Sequence, residues 1–374
     1  MQKVAVIFGG KSCEREISIL TGVFVMNVLR NGVYEPVPVY VHTDGQMYTS
    51  PTMLDVNVFK QDKVHTFTKI IFYGNTMYAL NTKKDKIKSL EKIDAAINCC
   101  HGGLGEGGGI SAMMEWNDIP FASPDLTSSG VFMDKSMTKL VMRALNVPTL
   151  DFMRVNQADY EKRGAFLIKN IGRRLKYPVV VKPAHLGSSI GIALAENETE
   201  LKSAVETAFE LDDRIVIEKY LKQKQDVNCA AYSLHGEIIV SEPEIAFSDG
   251  IYTFQDKYVN DREEMTKMSR NGRGRYELKT ELREKIRTYT RTVYKRMNLQ
   301  GVVRIDFLIS DEKAYLCEVN TVPGSLAYYL FCERILDART FFEDLITESM
   351  RTAKKREKKI VETGILNETF AKKK

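Results

Sequence analysis

Apolar and polar positions change period along the chain, and the changes predict strands and helices in turn. Val4 to Phe8 is a short apolar run that reads as a buried parallel strand closing on Gly9-Gly10. Ser12 then sits where it can cap a helix from about Glu14 to Leu29, whose stripe is made by Ile17, Leu20, Phe24 and Val28. Pro36 to Val41 is a second strand. The stretch 44–90 is more polar and predicts a hairpin, Ile70 to Tyr73 with Met77 to Leu80, turning at Gly74-Asn75. Ile93 to Asn98 is a further apolar strand, ending in the glycine-rich loop His101 to Gly109, and Ile110 to Trp116 opens a helix. Strand, helix, strand, strand, glycine loop, helix is a doubly wound pattern. Ligands in such sheets bind beyond the carboxyl ends of the strands, where Glu16, His101 and Glu106 fall.

The second half carries shorter elements. Residues 125–145 are helical around Met133-Asp134-Lys135. Tyr177 to Pro183 is a strand, 185–189 a loop, Ile190 to Ala195 a strand again, followed by a helix to Phe209 and a strand over Ile215 to Lys219. Val227 to Ser233 and Ile238 to Ile245 form a hairpin across His235-Gly236. Residues 246–275 are loop-like and charged, Tyr276 to Met297 is a long helix, Gly301 to Ile309 pairs with Ala314 to Asn320, and Phe341 to Thr352 is a closing helix.

Composition narrows the class without naming it. With 44% hydrophobic and 28% charged residues, the chain has the makings of an ordinary globular core. No apolar run reaches the roughly 18 residues of a membrane span, and Val4 to Phe8 is too short for a secretory signal. The net charge of +5 owes much to the tail, Lys354 to Lys374, which reads as a solvated end rather than a nucleic-acid or membrane arm. Six cysteines without a CxxC give neither a disulfide framework nor a zinc site, which suits a reducing cytoplasm.

Four clusters could carry chemistry. On the last hairpin, Arg304 and Asp306 are two apart, as are Glu318 and Asn320, so each pair shares a strand face. If the strands pair, that face offers two carboxylates and an amide, hard oxygen ligands suited to Mg²⁺, beside an arginine able to meet developing negative charge. An ordinary ion pair on a solvent-facing strand is the alternative. The turn Thr321-Val-Pro-Gly324 that follows favours the site, because it exposes a backbone N–H. Lys182-Pro183 with Gly187-Ser188-Ser189 is either a phosphate loop or a surface turn, and it is not a Walker A sequence. Glu218-Lys219-Tyr220-Leu221 is either an adenine pocket or a hinge. Lys257-Tyr258 lies in a segment that is either a lid or an exposed loop. Gly9-Gly10-Lys-Ser12 lacks the dinucleotide fingerprint and its later acidic residue, which disfavours a dehydrogenase.

Taken in order, these segments resemble the D-alanine–D-alanine ligase family of ATP-grasp enzymes over residues 3–350. The carriers are Val4 to Ser18, His101 to Gly109, Met133-Asp-Lys135, Val181-Lys-Pro183, Gly187 to Gly191, Ile217 to Leu221, Val227 to Ala230, Lys257-Tyr258, Arg304-Ile-Asp306 and Glu318 to Gly324. The resemblance implies an α/β and α+β chain: an N-terminal doubly wound parallel-sheet domain over 1–124, a small ATP-grasp subdomain over 125–215, a second ATP-grasp subdomain over 216–353 with the metal site and lid, and a basic tail over 354–374. It implies that Lys135, Lys182 and Lys257 bind the phosphates of ATP. Glu218, Lys219, Tyr220 and Leu221 would hold the adenine, and Asp226 the ribose. Asp306, Glu318 and Asn320 would hold two Mg²⁺ ions, with Mn²⁺ as the alternative metal. Arg304 and the Gly324 N–H would form the oxyanion site. Glu16, linked through Ser188 to Tyr258, would hold the first amino acid's ammonium, and His101 would lie near its carboxylate. The partners implied are small amino acids and a second copy in a homodimer.

Two departures from the family bear on specificity. Gly107 stands where the glycine loop usually has an acidic residue. Tyr329 and Leu330 occupy the places of a Ser-Leu pair that grips the second substrate's carboxylate, so the second subsite carries a much longer hydroxyl donor. The segment Arg262 to Arg275 is also strongly cationic. The reading is thus a D-alanine–D-alanine ligase working through an acyl phosphate for peptidoglycan. A related ligase with another second substrate and a non-catalytic nucleotide-binding protein are its alternatives.

Overall fold

The computed structural model describes residues 1–60, 64–81, 84–246 and 278–356, with Thr363 and Ile365 beyond them. Its strands form three sheets. The first begins with β1 (Gln2–Gly9), which pairs in parallel with β2 (Tyr34–Val41) and β7 (Ala95–Asn98), while β8 (Phe121–Ala122) adds in parallel to β7. The doubly wound part is only these four strands. Beyond β2 the sheet continues antiparallel through β3 (Met47–Thr49), β4 (Thr68–Tyr73), β5 (Thr76–Asn81) and β6 (Lys86–Lys92). The hairpin expected around Gly74 is β4–β5. Helix α1 (Arg15–Leu29) follows β1, and α2 (Ile110–Trp116) follows β7 after the glycine loop.

Close approach explains two of the glycines here. A Cβ on Gly22 of α1 would sit 2.4 Å from the Phe8 ring, so glycine lets α1 lie against β1. Gly9 has φ +95°, and a Cβ there would meet the Val41 carbonyl at 2.3 Å. Ser12 does not cap α1 as expected. Its Oγ accepts from the Glu14 N–H at 2.9 Å and donates to the His101 carbonyl at 2.7 Å, tying the two loops at the carboxyl ends of β1 and β7. Glu14 itself stands at the helix N-cap.

Residues 125–145 form two helices, α3 (Leu126–Met133) and α4 (Lys135–Ala144). The break is Asp134, whose carboxylate accepts from the N–H groups of Ser136 and Met137 and so caps α4. The second sheet is antiparallel, in the order β11 (Ala193–Ala195), β10 (Val179–Pro183), β12 (Arg214–Lys219), β9 (Phe152–Asn156). Helices α5 (Gln157–Leu175) and α6 (Glu198–Phe209) cover one face of it with Leu167, Ile171, Leu201 and Val205. Strand β12 carries this sheet to Lys219, across the expected division at 215/216.

The third sheet contains β14 (Glu237–Val240), β13 (Gln225–Leu234), β16 (Val303–Ser310) and β17 (Lys313–Asn320) in that order, with β15 (Glu244–Ala246) also paired to β13. Helix α7 (Thr280–Arg296) packs Leu282, Ile286 and Val293 on it. Helix α8 (Ala338–Arg356) crosses back to the first sheet. Its Phe341, Phe342, Leu345 and Ile346 share one core with Val4, Val6 and Phe8 of β1 and Met26 and Leu29 of α1. Burying a large side chain of this kind stabilises by roughly 1.5–3 kcal/mol, so this shared core joins the two ends of the chain strongly. Among the described residues no helix is long and apolar enough to cross a membrane.

Candidate active site

The three sheets converge on one cleft. The first contributes Glu14, His101 and Glu106; the α3–β11 region contributes Lys135, Gly187 and Ser188; the third contributes Arg304, Glu318, Asn320 and Gly324. The groups stand on strands β16 and β17, at helix starts and in the loops that follow β7 and β10.

The β16–β17 pair does what its spacing predicted. Arg304 lies opposite Asn320 and Asp306 opposite Glu318, with a bulge just after Asp306. The Arg304 guanidinium donates to both Asp306 oxygens, at 2.7 and 2.9 Å, and the Asn320 amide donates to Asp306 at 3.0 Å. Lys135, at the N-terminus of α4, reaches across to within 3.9 Å of Glu318 and donates to the Leu186 carbonyl. Oxygen donors from Asp306, Glu318 and Asn320 thus share one pleat face with a lysine alongside. That donor set fits a hard divalent cation shared with a phosphate.

Behind Lys135 lies a buried triad. Lys182 donates to Glu218 at 3.0 Å, and Lys139, one turn after Lys135, lies 3.0 Å from the other Glu218 oxygen as a close ion pair without hydrogen-bond alignment. Burial would raise the Glu218 carboxyl, but Lys139 and Lys182 outweigh it and hold it at about 2. Burial pushes the Lys182 ammonium down, yet its neighbours Cys317, Glu218 and Glu318 reverse this and raise it. Cys317 is itself pushed up by burial and is a neutral thiol at neutral pH, so the carboxylates are what hold Lys182 charged. Two ammoniums on one carboxylate leave a surplus positive charge, the right sign for a bound polyphosphate. Sequence reasoning passed over Lys139; the signal was its position four residues after Lys135 on one helix face.

Strand β12 exits through Lys219, Tyr220 and Leu221. The N–H groups of Lys219 and Tyr220 are committed to the carbonyls of Asp151 and Pro178, at 3.1 and 3.2 Å. Those two donors are therefore closed to a base, and the Lys219 side chain points to solvent. Asp226, at the start of β13, is paired with Lys224 at 2.6 Å.

The amino-acid end of the cleft brings one correction. Glu16 is exposed on the first turn of α1, whereas Glu14 is buried and its carboxylate accepts from the Ser188 hydroxyl. A Cβ on Gly102 would lie 2.6 Å from the Glu14 carboxylate, and one on Gly187 would lie 2.7 Å from it. The two glycine loops thus form a cradle around Glu14 and not around Glu16. Glu106 is half-buried here, accepting from the N–H groups of Gly102 at 2.8 Å and Val322 at 3.2 Å. Burial and the Glu14 charge raise its carboxyl to about 7. Gly107, the departure in the glycine loop, faces Met133. Lys257, Tyr258 and the cationic segment Arg262 to Arg275 lie outside the described residues.

His101 is the second correction. It lines the cleft, but both ring nitrogens are occupied by protein: Nδ1 by the Val322 carbonyl at 2.7 Å and Nε2 by the Thr21 hydroxyl at 2.9 Å. It has no free nitrogen for a substrate carboxylate in this arrangement. Tyr329 stands beside Arg304, which donates to its hydroxyl at 3.3 Å, while Leu330 packs on the first core. Gly324 lies at the cleft wall with open space where a Cβ would be.

Comparison with known proteins gives the family. The family model described as D-ala D-ala ligase C-terminus matches residues 141–350, and that described as D-ala D-ala ligase N-terminus matches residues 3–124. A D-alanine–D-alanine ligase from Thermosipho africanus is 32% identical over 338 residues, covering 88% of each chain. One from Caldicellulosiruptor bescii is 30% identical over 366 residues, covering 96% of this chain and 97% of its own. The crystal structure of the Helicobacter pylori D-alanine–D-alanine ligase superposes with a TM-score of 0.75 at 26% identity, over 93% of this chain and 98% of that one. The fold is the ATP-grasp fold with its N-terminal α/β domain. The chain belongs to the D-alanine–D-alanine ligase family of ATP-dependent ligases, whose role is in peptidoglycan synthesis.

Proposed function

We propose that this chain joins two D-alanine molecules at this cleft through an acyl phosphate. The supporting observation is the convergence of an oxygen-donor face, Asp306, Glu318 and Asn320, with Lys135 and the surplus charge of the Lys139–Glu218–Lys182 triad. The lysines orient the polyphosphate of ATP and draw charge from its γ-phosphate as the first carboxylate attacks. Mg²⁺, held by Asp306, Glu318 and Asn320, would supply further charge neutralisation at the same phosphates. Glu14, held by Ser188, receives the first amino acid's ammonium, the part the sequence reading gave to Glu16. Arg304 and the Gly324 N–H receive the oxyanion when the second amine attacks. Free thiols at all six cysteines fit a reducing cytoplasm.

Phosphate release with ATP, Mg²⁺ and D-alanine tests this reading. It should require two equivalents of D-alanine, and Asp306→Ala or Glu318→Ala should each lower turnover by at least about 10²-fold while the protein stays folded. A second reading has its own support. Tyr329 brings a bulky hydroxyl into contact with Arg304, which suits an acceptor other than D-alanine. Release with D-alanine only when another amine or a hydroxy acid is added would favour that reading and remove the first.

A further inference from the structure

Three successive residues after Gly324 are left-handed and none is glycine: Ser325, Leu326 and Ala327 have φ of 49°, 53° and 50°. Each such residue costs roughly 1–2 kcal/mol and persists only when its surroundings hold it. Part of the hold is packing, because Leu326 and Ala327 are buried in the first core. The rest is a set of hydrogen bonds from helix α1 and the glycine loop of the N-terminal region. The Ser325 N–H donates to the Thr21 hydroxyl at 3.2 Å, and the Thr21 hydroxyl lies 2.9 Å from His101 Nε2. His101 Nδ1 lies 2.7 Å from the Val322 carbonyl. The Val322 N–H donates to Glu106.

Only one set of proton positions satisfies this chain. A carbonyl can only accept, so His101 Nδ1 must carry the hydrogen and Nε2 must accept. Thr21 therefore donates to His101 and accepts from Ser325. Burial lowers His101 to about 4, so the ring stays neutral and this direction holds across the physiological range. Val322 and Ser325 are thus both fixed, one before and one after Gly324.

We infer that Thr21 and His101 are positioning residues for the oxyanion turn: they aim the Gly324 N–H by holding the peptide on either side of it, from helix α1 and the glycine loop after β7. This rests on the reading of Arg304 and Gly324 as the oxyanion site. It gives His101, expected near the first amino acid's carboxylate, a role that acts through the turn. Neither residue touches substrate in this scheme.

The test is Thr21→Val, which removes the hydroxyl at nearly constant volume, with Thr21→Ser as the conservative variant and Arg304→Met as the control on the oxyanion reading. For Thr21→Val, kcat should fall about 10- to 100-fold with the KM for ATP within about twofold of wild type and an intact thermal transition. Thr21→Ser should recover kcat to within about threefold of wild type. The inference is overturned if Thr21→Val keeps wild-type kcat, if Thr21→Ser is no better than Thr21→Val, or if kcat, the ATP KM and the thermal midpoint all fail together. Were Arg304→Met to keep full kcat, the oxyanion reading would itself be wrong. Loss in Arg304→Met with none in Thr21→Val would sink the positioning role alone.

Discussion

Glu218 sits between two lysines with almost no access to water, and the asymmetry of that arrangement sets what its loss would do. Glu218→Gln leaves two buried ammoniums without a counter-charge and should destabilise by about 3–5 kcal/mol. Lys139→Met leaves a neutral Lys182–Glu218 pair and an apolar side chain beside Phe152, so its cost should be distinctly smaller. Urea midpoints of the two variants decide it; equal losses would contradict this account. At the same scale, Asp306, Glu318, Asn320, Lys135 and Lys182 could be singled out from the chain because each falls in a short motif: Asp306 inside β16, Lys182, Glu318 and Asn320 towards strand ends, and Lys135 at a helix start. Glu14 was not. Two acidic residues flank Arg15, and either puts a carboxylate at the start of α1. What separates them is the space left by Gly102 and Gly187, and those loops meet Glu14 only in the fold.

Among elements, the loop after β10 is pinned by His185. Its backbone N–H and Nδ1 meet Asp212 at 2.7 and 2.9 Å, and Nε2 faces Asp134, the cap of α4, at 3.6 Å. Arg214 pairs with the same Asp134. Hydrogen bonding to Asp134 and Asp212 raises the His185 pKa from 6.5 to about 9. A raised histidine stabilises the fold fully below its unfolded value and loses that contribution as pH rises through the folded value. His185→Gln should therefore lower the thermal midpoint near pH 6 and match wild type near pH 10, with solvent at the half-exposed ring keeping the difference modest. A pH-independent gap between the two proteins would contradict the ion-pair account. The paired strands β16 and β17 were visible beforehand because a period of two fixes which residues share a face. The left-handed turn at Ser325 to Ala327 was not visible, because nothing in those three side chains asks for positive φ. It is imposed by Thr21 and by the core.

For the molecule as a whole, the first core decides cooperativity. It takes residues from β1, α1, β13 and α8, so the N-terminal sheet is closed by α8. Phe342→Ala should cost about 3–5 kcal/mol and release the amides of β1 and α8 to hydrogen exchange in the same transition. Retained protection in β1 with α8 open would show the two to be independent. Apolar and polar patterning could place three units in order, because each sheet has its own local periodicity. It could not show that the first is finished by the last, since the stripe on α8 looks the same whichever sheet it covers.

That shared core also bears on how the protein is made. Phe341 and Phe342 leave the ribosome only some 330 residues after Val4, Val6 and Phe8. At roughly 5–20 residues per second, one face of the first sheet would stay uncovered for about 15–65 s during each round of synthesis. An apolar surface open for that long is a natural substrate for a holding chaperone. Nascent chains stalled before residue 338 should bind one, and chains extended past residue 350 by enough to clear the exit tunnel should not.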